Sequence, residues 1–377
     1  MRVCMITTVH DIIRDSRVFH KMACSLVLAG HRVTFMAPYD QRTVIEGVHI
    51  WPLPRVQRRA RRLLLQRAVY ALAKQIDADI YHLHDPELLL TGWLLGRAGR
   101  AVVMDFHENV RADLRLKHYL APLLRPAAPL VYAGAERLLL SRVAGVILAE
   151  DSYVPMYQRV ERKVVIHNYP MVGGVPPTAT HCPSPTQPVE LVYVGTISRS
   201  RGSFDLVDAL RLLQTTRSGG ARLHLMGPEN DPAEARALRA RIRANGVEAA
   251  CTLYGSRPYP EVFRLLGSCH IGIAVLHDTG NYRGSLPTKL LEYMLVGLPV
   301  IASDFPVNRT YVSEPGTGLL VEPGRPEAIA EAVSTLVSDP DQYEHMSRRG
   351  NSLVRHRFSW EHEAKRLEQF YQACAKG

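Results

Sequence analysis

Between Asn281 and Ser303 the chain reads NYRGSLPTKLLEYMLVGLPVIAS, which sets a cation and a carboxylate one helical turn apart. Ser285, Pro287 and Thr288 have the composition of a helix start: proline in the first turn forfeits no hydrogen bond, and a neighbouring hydroxyl can cap the free amides. A helix start carries partial positive charge, and Lys289 adds a full charge in the same turn, so the pair suits a phosphate. Glu292 lies three residues further on and on the same face. A carboxylate there is placed to accept hydrogen bonds from ribose hydroxyls, as acidic residues do in other nucleotide sites. Gly297 and Pro299 end the helix, and PVIAS supplies a buried strand.

Other chemistry-bearing residues fall at the carboxyl ends of expected strands, where open α/β sheets place their ligands. After LVYVG comes TISRSRG, a glycine-bounded loop that leads into a helix expected over Phe204–Leu213, with Arg199 and Arg201 as candidates for a diphosphate. Near the amino end, DSRV opens a helix that Asp15 or Ser16 can cap, and Arg17 projects from its first turn. Arginine is unfavourable at the positive end of a helix dipole, so an anionic partner for Arg17 is expected. His82 and His84 share one face of the strand YHLHD, with Asp85 following, a pattern that would suit either metal ligands or a polar strand terminus.

The run PTKLLEYMLVGLPVIAS resembles the nucleotide-sugar signature of the family 4 retaining glycosyltransferases. The resemblance implies the GT-B fold, two Rossmann-like parallel-sheet α/β domains facing each other across a cleft. It departs from the commoner signature at one place: a second glutamate usually stands eight positions before the one matched by Glu292, and here that position is Gly284. Carried over residue by residue, the resemblance assigns Arg201 to the donor diphosphate, and it leaves Thr196, directly after Gly195, where arginine is common. His107, in MDFHEN, resembles the active-site histidine of the first domain, which faces the transferred sugar. Gly227 and the YGSRP loop that holds Arg257 occupy positions where related enzymes hold the nucleotide base. The resemblance also implies that the reaction uses no cofactor or metal, the nucleoside-diphosphate sugar being the donor substrate; His82 and His84 are then expected to be a strand terminus.

The elements that must position these residues are legible as alternation. With 377 residues and 46% apolar content the chain can bury two cores, since single cores stop growing near ~250–300 residues. Strands are expected at Arg2–Thr7, His31–Pro38, Asp79–His84, Ala101–Asp105, Val146–Ala149 and Val164–His167, with helices between them. The proline-rich Met171–Pro188 reads as a linker, and a second set of strands follows through LVYVG, LHLMG, CTLYG, IGIAVL, PVIA and GLLV. This gives an amino-terminal acceptor domain over 1–170, a linker over 171–188, a nucleotide-sugar domain over 189–358, and a last helix over 359–377 that family members fold back onto the first domain.

Six scattered cysteines without C-x-x-C spacing suit a reducing compartment, and no apolar run reaches the ~18 residues of a spanning helix. The MRVCMITT start reads as a strand and not a signal peptide, so the cytoplasm is the expected location. A net charge of +10 calls for acidic partners. Arg55–Lys74 mixes Arg58, Arg59, Arg61, Arg62 and Arg67 with leucines, and Arg111–Arg142 mixes Arg115, Lys117, Arg125 and Arg137 with Leu120, Leu123 and Leu124. Such segments suit peripheral contact with an anionic membrane, or form solvated basic faces. Nucleic acid is not expected, because no nucleic-acid-binding signature accompanies the charge.

The expected activity is retaining, metal-independent transfer of a hexosyl-type group from a nucleoside-diphosphate sugar to a lipid-linked or amphiphilic acceptor in glycan assembly. The alternatives are transfer to a soluble small molecule, epimerisation of the nucleotide sugar within the same fold, or an inactive nucleotide-binding scaffold, which Gly284 keeps open.

Overall fold

Short apolar runs that are buried on both faces form parallel strands, and the chain supplies two sets of them. In a computed structural model, which describes residues 1–9, 15–56, 65–107, 110–111, 127–175, 181–279 and 282–375, they build two units. One unit comprises Met1–Asn168 with Trp360–Gly377, and the other Tyr169–Ser359.

The first unit holds strands β1 (Arg2–Ile6), β2 (Arg32–Pro38), β3 (Thr43–Ile45), β4 (Val48–Leu53), β5 (Ile80–Leu83), β6 (Val102–Phe106), β7 (Gly145–Leu148) and β8 (Lys163–Val165). They form one sheet in the order β3-β4-β2-β1-β5-β6-β7-β8. Val3 of β1 pairs with Val33 of β2 on one side and Ile80 of β5 on the other, so the direction of winding reverses at β1. All neighbours are parallel except β3, which folds back on β4 through a turn at Glu46 and Gly47, both at positive φ. This hairpin was not expected from the sequence. Its strands are short and carry Pro52, and the Glu-Gly turn is a weaker signal than Asn-Gly or Asp-Gly.

The second unit holds β9 (Val189–Val194), β10 (Ala221–Met226), β11 (Cys251–Gly255), β12 (Ile271–Ala274), β13 (Val300–Ser303) and β14 (Gly318–Val321). These six strands are all parallel, in the order β11-β10-β9-β12-β13-β14. Helices Ser203–Thr216 and Pro326–Ser338 cover one face through Val207, Leu210, Leu213, Val333 and Leu336, and helix Lys289–Leu295 covers the other through Leu290, Leu291 and Met294. The stretch read as a linker is partly docked on the second unit: Val172 and Val175 pack on the face covered by helix Lys289–Leu295, Cys182 on the opposite face, and Arg355 Nη2 donates to Val175 O at 2.8 Å.

The last helix, Trp360–Ala375, belongs to the first unit. Its buried side chains, Trp360, Glu363, Leu367, Phe370, Tyr371 and Cys374, recur at helical spacing and form one stripe. Trp360 Nε1 donates to Ser25 Oγ at 2.8 Å, Tyr371 Oη pairs with His82 Nδ1 at 2.6 Å, and Glu363 accepts from the His167 amide at 2.9 Å. Of the two basic segments, 57–64 and 112–126 lie outside the described residues, so Arg58, Arg59, Arg61, Arg62, Arg115, Lys117 and Arg125 have no described place. Helices Gln66–Ala73 and Ala128–Leu140 form their described parts.

Candidate functional site

In the second unit the winding reverses between β9 and β12, so the loops that leave their carboxyl ends run side by side, the position where open parallel sheets bind ligands. The His277 amide donates to Ser200 O at 3.0 Å, tying the segment after β12 to the loop after β9, and the His277 ring is hydrogen-bonded to Asp205. Two glycines make the loop possible. Gly202 sits at φ 77°, where a Cβ would lie 2.0 Å from Val275 O. Gly195 sits at φ 136°, where a Cβ would lie 2.6 Å from Lys289 Nζ. A side chain at either position would be strained and would close the space at the strand end.

Lys289 reaches that space from the other side. Its Nζ stands 3.9 Å from the ring centroid of Tyr193 and has no hydrogen-bond partner among the described residues. Burial pushes its ammonium group down to about 7, and the charge of Arg201 pushes the same way against the opposing carboxylate of Glu292. Arg201 itself lies 5.3 Å from the ring of Tyr282. Two neighbouring cations with one carboxylate repel each other in the protein alone; a diphosphate between them reverses the sign of that interaction.

The helix behind Lys289 starts differently from expectation. It begins at Lys289, after a turn in which Leu290 N donates to Pro287 O at 2.9 Å, and Thr288 makes no side-chain cap. Thr288 is already in the helical region (φ −54°, ψ −27°), whereas a capping residue needs an extended backbone to turn its oxygen back toward the amides. Glu292 is half-buried, and Tyr259 Oη donates to its Oε1 at 3.4 Å. Ser285 is half-buried beside this turn.

The remaining second-unit candidates divide. Thr196 gives its carbonyl to Tyr193 Oη at 2.9 Å, which holds the strand end in shape. Gly227 donates its amide to Gly255 O at 2.9 Å, and a Cβ on it would meet Gly195 O, so it borders the same strand ends. Arg199 is exposed and stacks 3.8 Å over the ring of Phe204. Arg257 is exposed, donates to Tyr254 O at 3.0 Å and pairs with Glu261 at 3.8 Å.

In the first unit, His107 directly follows β6 and is half-buried beside a cluster of buried polar groups. Asp105, Arg17, His82 and His84 make up that cluster. The anion expected for Arg17 is Asp105, whose Oδ1 lies 3.5 Å from Arg17 Nη2. Burial alone would raise the Asp105 carboxyl, but Arg17, His84 and His107 hold it far below the usual carboxylate range, so it is ionised. Burial drives the His82 imidazole well below its ordinary value, helped by His84, so His82 is neutral. The ligand atoms of His82, His84 and Asp105 lie within 4.8 Å of one another, close enough for a metal. Arg17 already supplies the positive charge beside Asp105, and a divalent ion would face it at close range. Asp85 points elsewhere, accepting from Thr7 Oγ1 at 3.1 Å and Thr8 Oγ1 at 2.9 Å. Glu108, next to His107 in the sequence, lies outside the described residues.

Tyr193, Tyr259, Tyr282 and the His277–Asp205 pair were not picked out from the sequence. For Tyr193 a signal existed: the two-residue period of LVYVG puts its side chain on the same face as the Gly195 turn. Nothing local marks Tyr259, which reaches Glu292 only through the fold.

Comparison with known proteins bears on both units. The profile described as Glycosyltransferase Family 4 matches residues 16–168, and that described as Glycosyl transferases group 1 matches residues 182–353. The chain is 24% identical over 305 residues to the GDP-mannose:cellobiosyl-diphosphopolyprenol alpha-mannosyltransferase of Xanthomonas campestris, covering 79% of this chain and 75% of that protein. Among solved structures, sucrose-phosphate synthase of Thermosynechococcus elongatus matches with a TM-score of 0.77 at 18% identity, covering 98% of each chain. HepE of Anabaena, solved in complex with UDP and glucose, matches with a TM-score of 0.72 at 14% identity, covering 99% of this chain and 100% of that one.

Proposed function

The chain belongs to the family 4 glycosyltransferases of GT-B fold, and from that premise we propose that it moves a sugar, with retention and without a metal, from a nucleoside-diphosphate sugar to a lipid-linked acceptor in glycan assembly. The observation that carries this reading is the convergence of Lys289, Arg201 and the Gly195 turn at the carboxyl end of β9. Breaking the bond from the anomeric carbon to the diphosphate sends its electron pair to a phosphate oxygen. Lys289 and Arg201 are fixed where that charge develops, the arrangement that commonly supplies most of the rate enhancement. Two protein cations do the work a divalent ion does elsewhere. Glu292, one turn on, accepts from the ribose hydroxyls, and His107 in the first unit hydrogen-bonds the transferred sugar.

The acceptor class draws support from the Xanthomonas relative, whose name gives a sugar on a diphosphopolyprenol as its acceptor, and the donor class from HepE, solved with UDP. Among the described residues no helix is long and apolar enough to cross a membrane. Gly284, in place of the usual second glutamate, favours one other reading, a nucleotide-sugar epimerase or binding scaffold. Incubation with donor alone separates them: an epimerase changes the sugar without acceptor, and a scaffold changes nothing.

The direct test is a thermal-shift screen of UDP, GDP, ADP, CMP and dTDP with and without EDTA. A ligand at a hundred times its Kd stabilises by about 2.7 kcal/mol. One nucleoside diphosphate is expected to raise Tm equally in both series. A rise abolished by EDTA removes the metal-independent reading, and no rise with any nucleotide removes the donor site.

A further inference from the structure

A cavity of about 1160 Å³ opens in the first unit. Its walls come from the connections that lead into the amino ends of β6, β7 and β8, through Ala101, Ala144 and Arg162, and from helix Ala128–Leu140. Neither His107 nor any of the donor-site residues Gly195, Arg201, Lys289 and Glu292 lines it.

Six arginines line it: Arg100, Arg111, Arg137, Arg142, Arg159 and Arg162, against a single carboxylate, Glu161. Two of the six have carboxylate partners, Arg100 with Asp77 at 3.2 Å and Arg111 with Glu136. Among the described residues the other four have no ion-pair partner, and all four are exposed. The carboxyl ends of helices attract single cations, and Arg137 in the last turn of Ala128–Leu140 fits that explanation. It does not account for Arg142, Arg159 and Arg162 converging on the same hollow. Like charges gathered in a concave, low-dielectric wall focus a positive potential, and guanidinium groups pair with phosphate through paired N–H donors.

We propose that this cavity is a second anion site, separate from the donor site, that takes a ligand bearing two or more phosphate groups. Its source is either a free polyphosphate or the head groups of anionic phospholipid. The helix that supplies Arg137 also exposes Leu130, Val131 and Leu138, at 76%, 71% and 66%, which gives the lipid source an apolar contact beside the arginines.

The test compares the full chain with the triple variant Arg137→Glu, Arg142→Glu, Arg159→Glu and with its milder counterpart carrying Gln at the same positions. All three side chains are exposed, and an unchanged Tm in the absence of ligand checks the fold. Inorganic tripolyphosphate is titrated by calorimetry, and flotation is measured with phosphatidylglycerol-containing vesicles against pure phosphatidylcholine, at low salt. Tripolyphosphate binding that weakens tenfold or more in the Glu variant, and less in the Gln variant, supports the site with a free phosphate source. Flotation with the anionic vesicles alone, lost in the Glu variant, supports it with the lipid source. The proposal is overturned if neither probe binds, or if binding is unchanged by charge reversal.

Discussion

Lys289 should couple donor binding to proton uptake. Its ammonium group, pushed down to about 7 by burial and by Arg201, is only partly charged in the free protein near neutral pH. A donor diphosphate beside Nζ favours the charged form and raises the group again, so binding above pH 7 must take up a proton. If the bound value lies well above 8, uptake is roughly 0.1 proton at pH 6, 0.5 at pH 7 and 0.9 at pH 8. Affinity then falls by up to tenfold, about 1.4 kcal/mol, for each pH unit above 7. Calorimetric titration of a nucleoside-diphosphate sugar in buffers of different ionisation enthalpy reads this uptake directly. The sugar diphosphate is suited because its phosphates do not titrate in that range. Lys289→Met should abolish the uptake and weaken binding. An uptake near zero at pH 8, or one that persists in Lys289→Met, would refute the placement of the diphosphate at Lys289. The same residue carries a stability sign. An unfolded lysine titrates near ~10.4, so between pH 7 and 10 the unfolded chain holds more protons and this group makes stability rise with pH. Below pH 7 its burial destabilises, and Lys289→Met should raise Tm of the ligand-free protein at pH 7 while impairing binding.

Four further outcomes are expected. Glu292→Ala should weaken donor binding by the ~1.5–3 kcal/mol typical of a hydrogen bond to a charged group, with Tm nearly unchanged; an unaltered donor Kd would dissociate Glu292 from the ribose. Gly202→Ala forces a Cβ to within 2.0 Å of Val275 O, and should cost on the order of 1–3 kcal/mol in denaturant unfolding and weaken donor binding through the displaced Arg201. Tyr371→Phe leaves the buried His82 Nδ1 without its partner and should destabilise the first unit by about 1–3 kcal/mol; thermal unfolding indistinguishable from wild type would show that the contact contributes nothing. His107→Ala should lower kcat with donor affinity retained, and a variant with full turnover would remove His107 from the reacting centre.

Hydrophobic period and turn chemistry were enough to locate most of the parallel strands. Runs such as IGIA and VIAS are buried on both faces, and only a doubly covered parallel sheet accommodates them. The pairing of Lys289 with Glu292 was legible for a related reason, because a helix fixes the face of residues three apart whatever surrounds it. The β3–β4 hairpin was not legible, since the three-residue β3 and a Glu-Gly turn are held by β4, itself paired with β2, and not by their own composition.

What only the tertiary structure decided is which charges meet. The sequence marked Arg17 as needing an anion; that the anion is Asp105, 88 positions away and on a different element, depends on the fold bringing the two within 3.5 Å. The loop offered both Arg199 and Arg201, with the family resemblance favouring Arg201, and the left-handed turn at Gly202 goes with a loop in which Arg199 stacks on Phe204 and the charge of Arg201 acts on Lys289. The shift of Lys289 to about 7 could not be read from any motif, because burial and a neighbouring charge depend on what the fold brings within a few ångströms. Composition and spacing determine which residues are able to do chemistry; their mutual distances, and through them their charges, are set by packing.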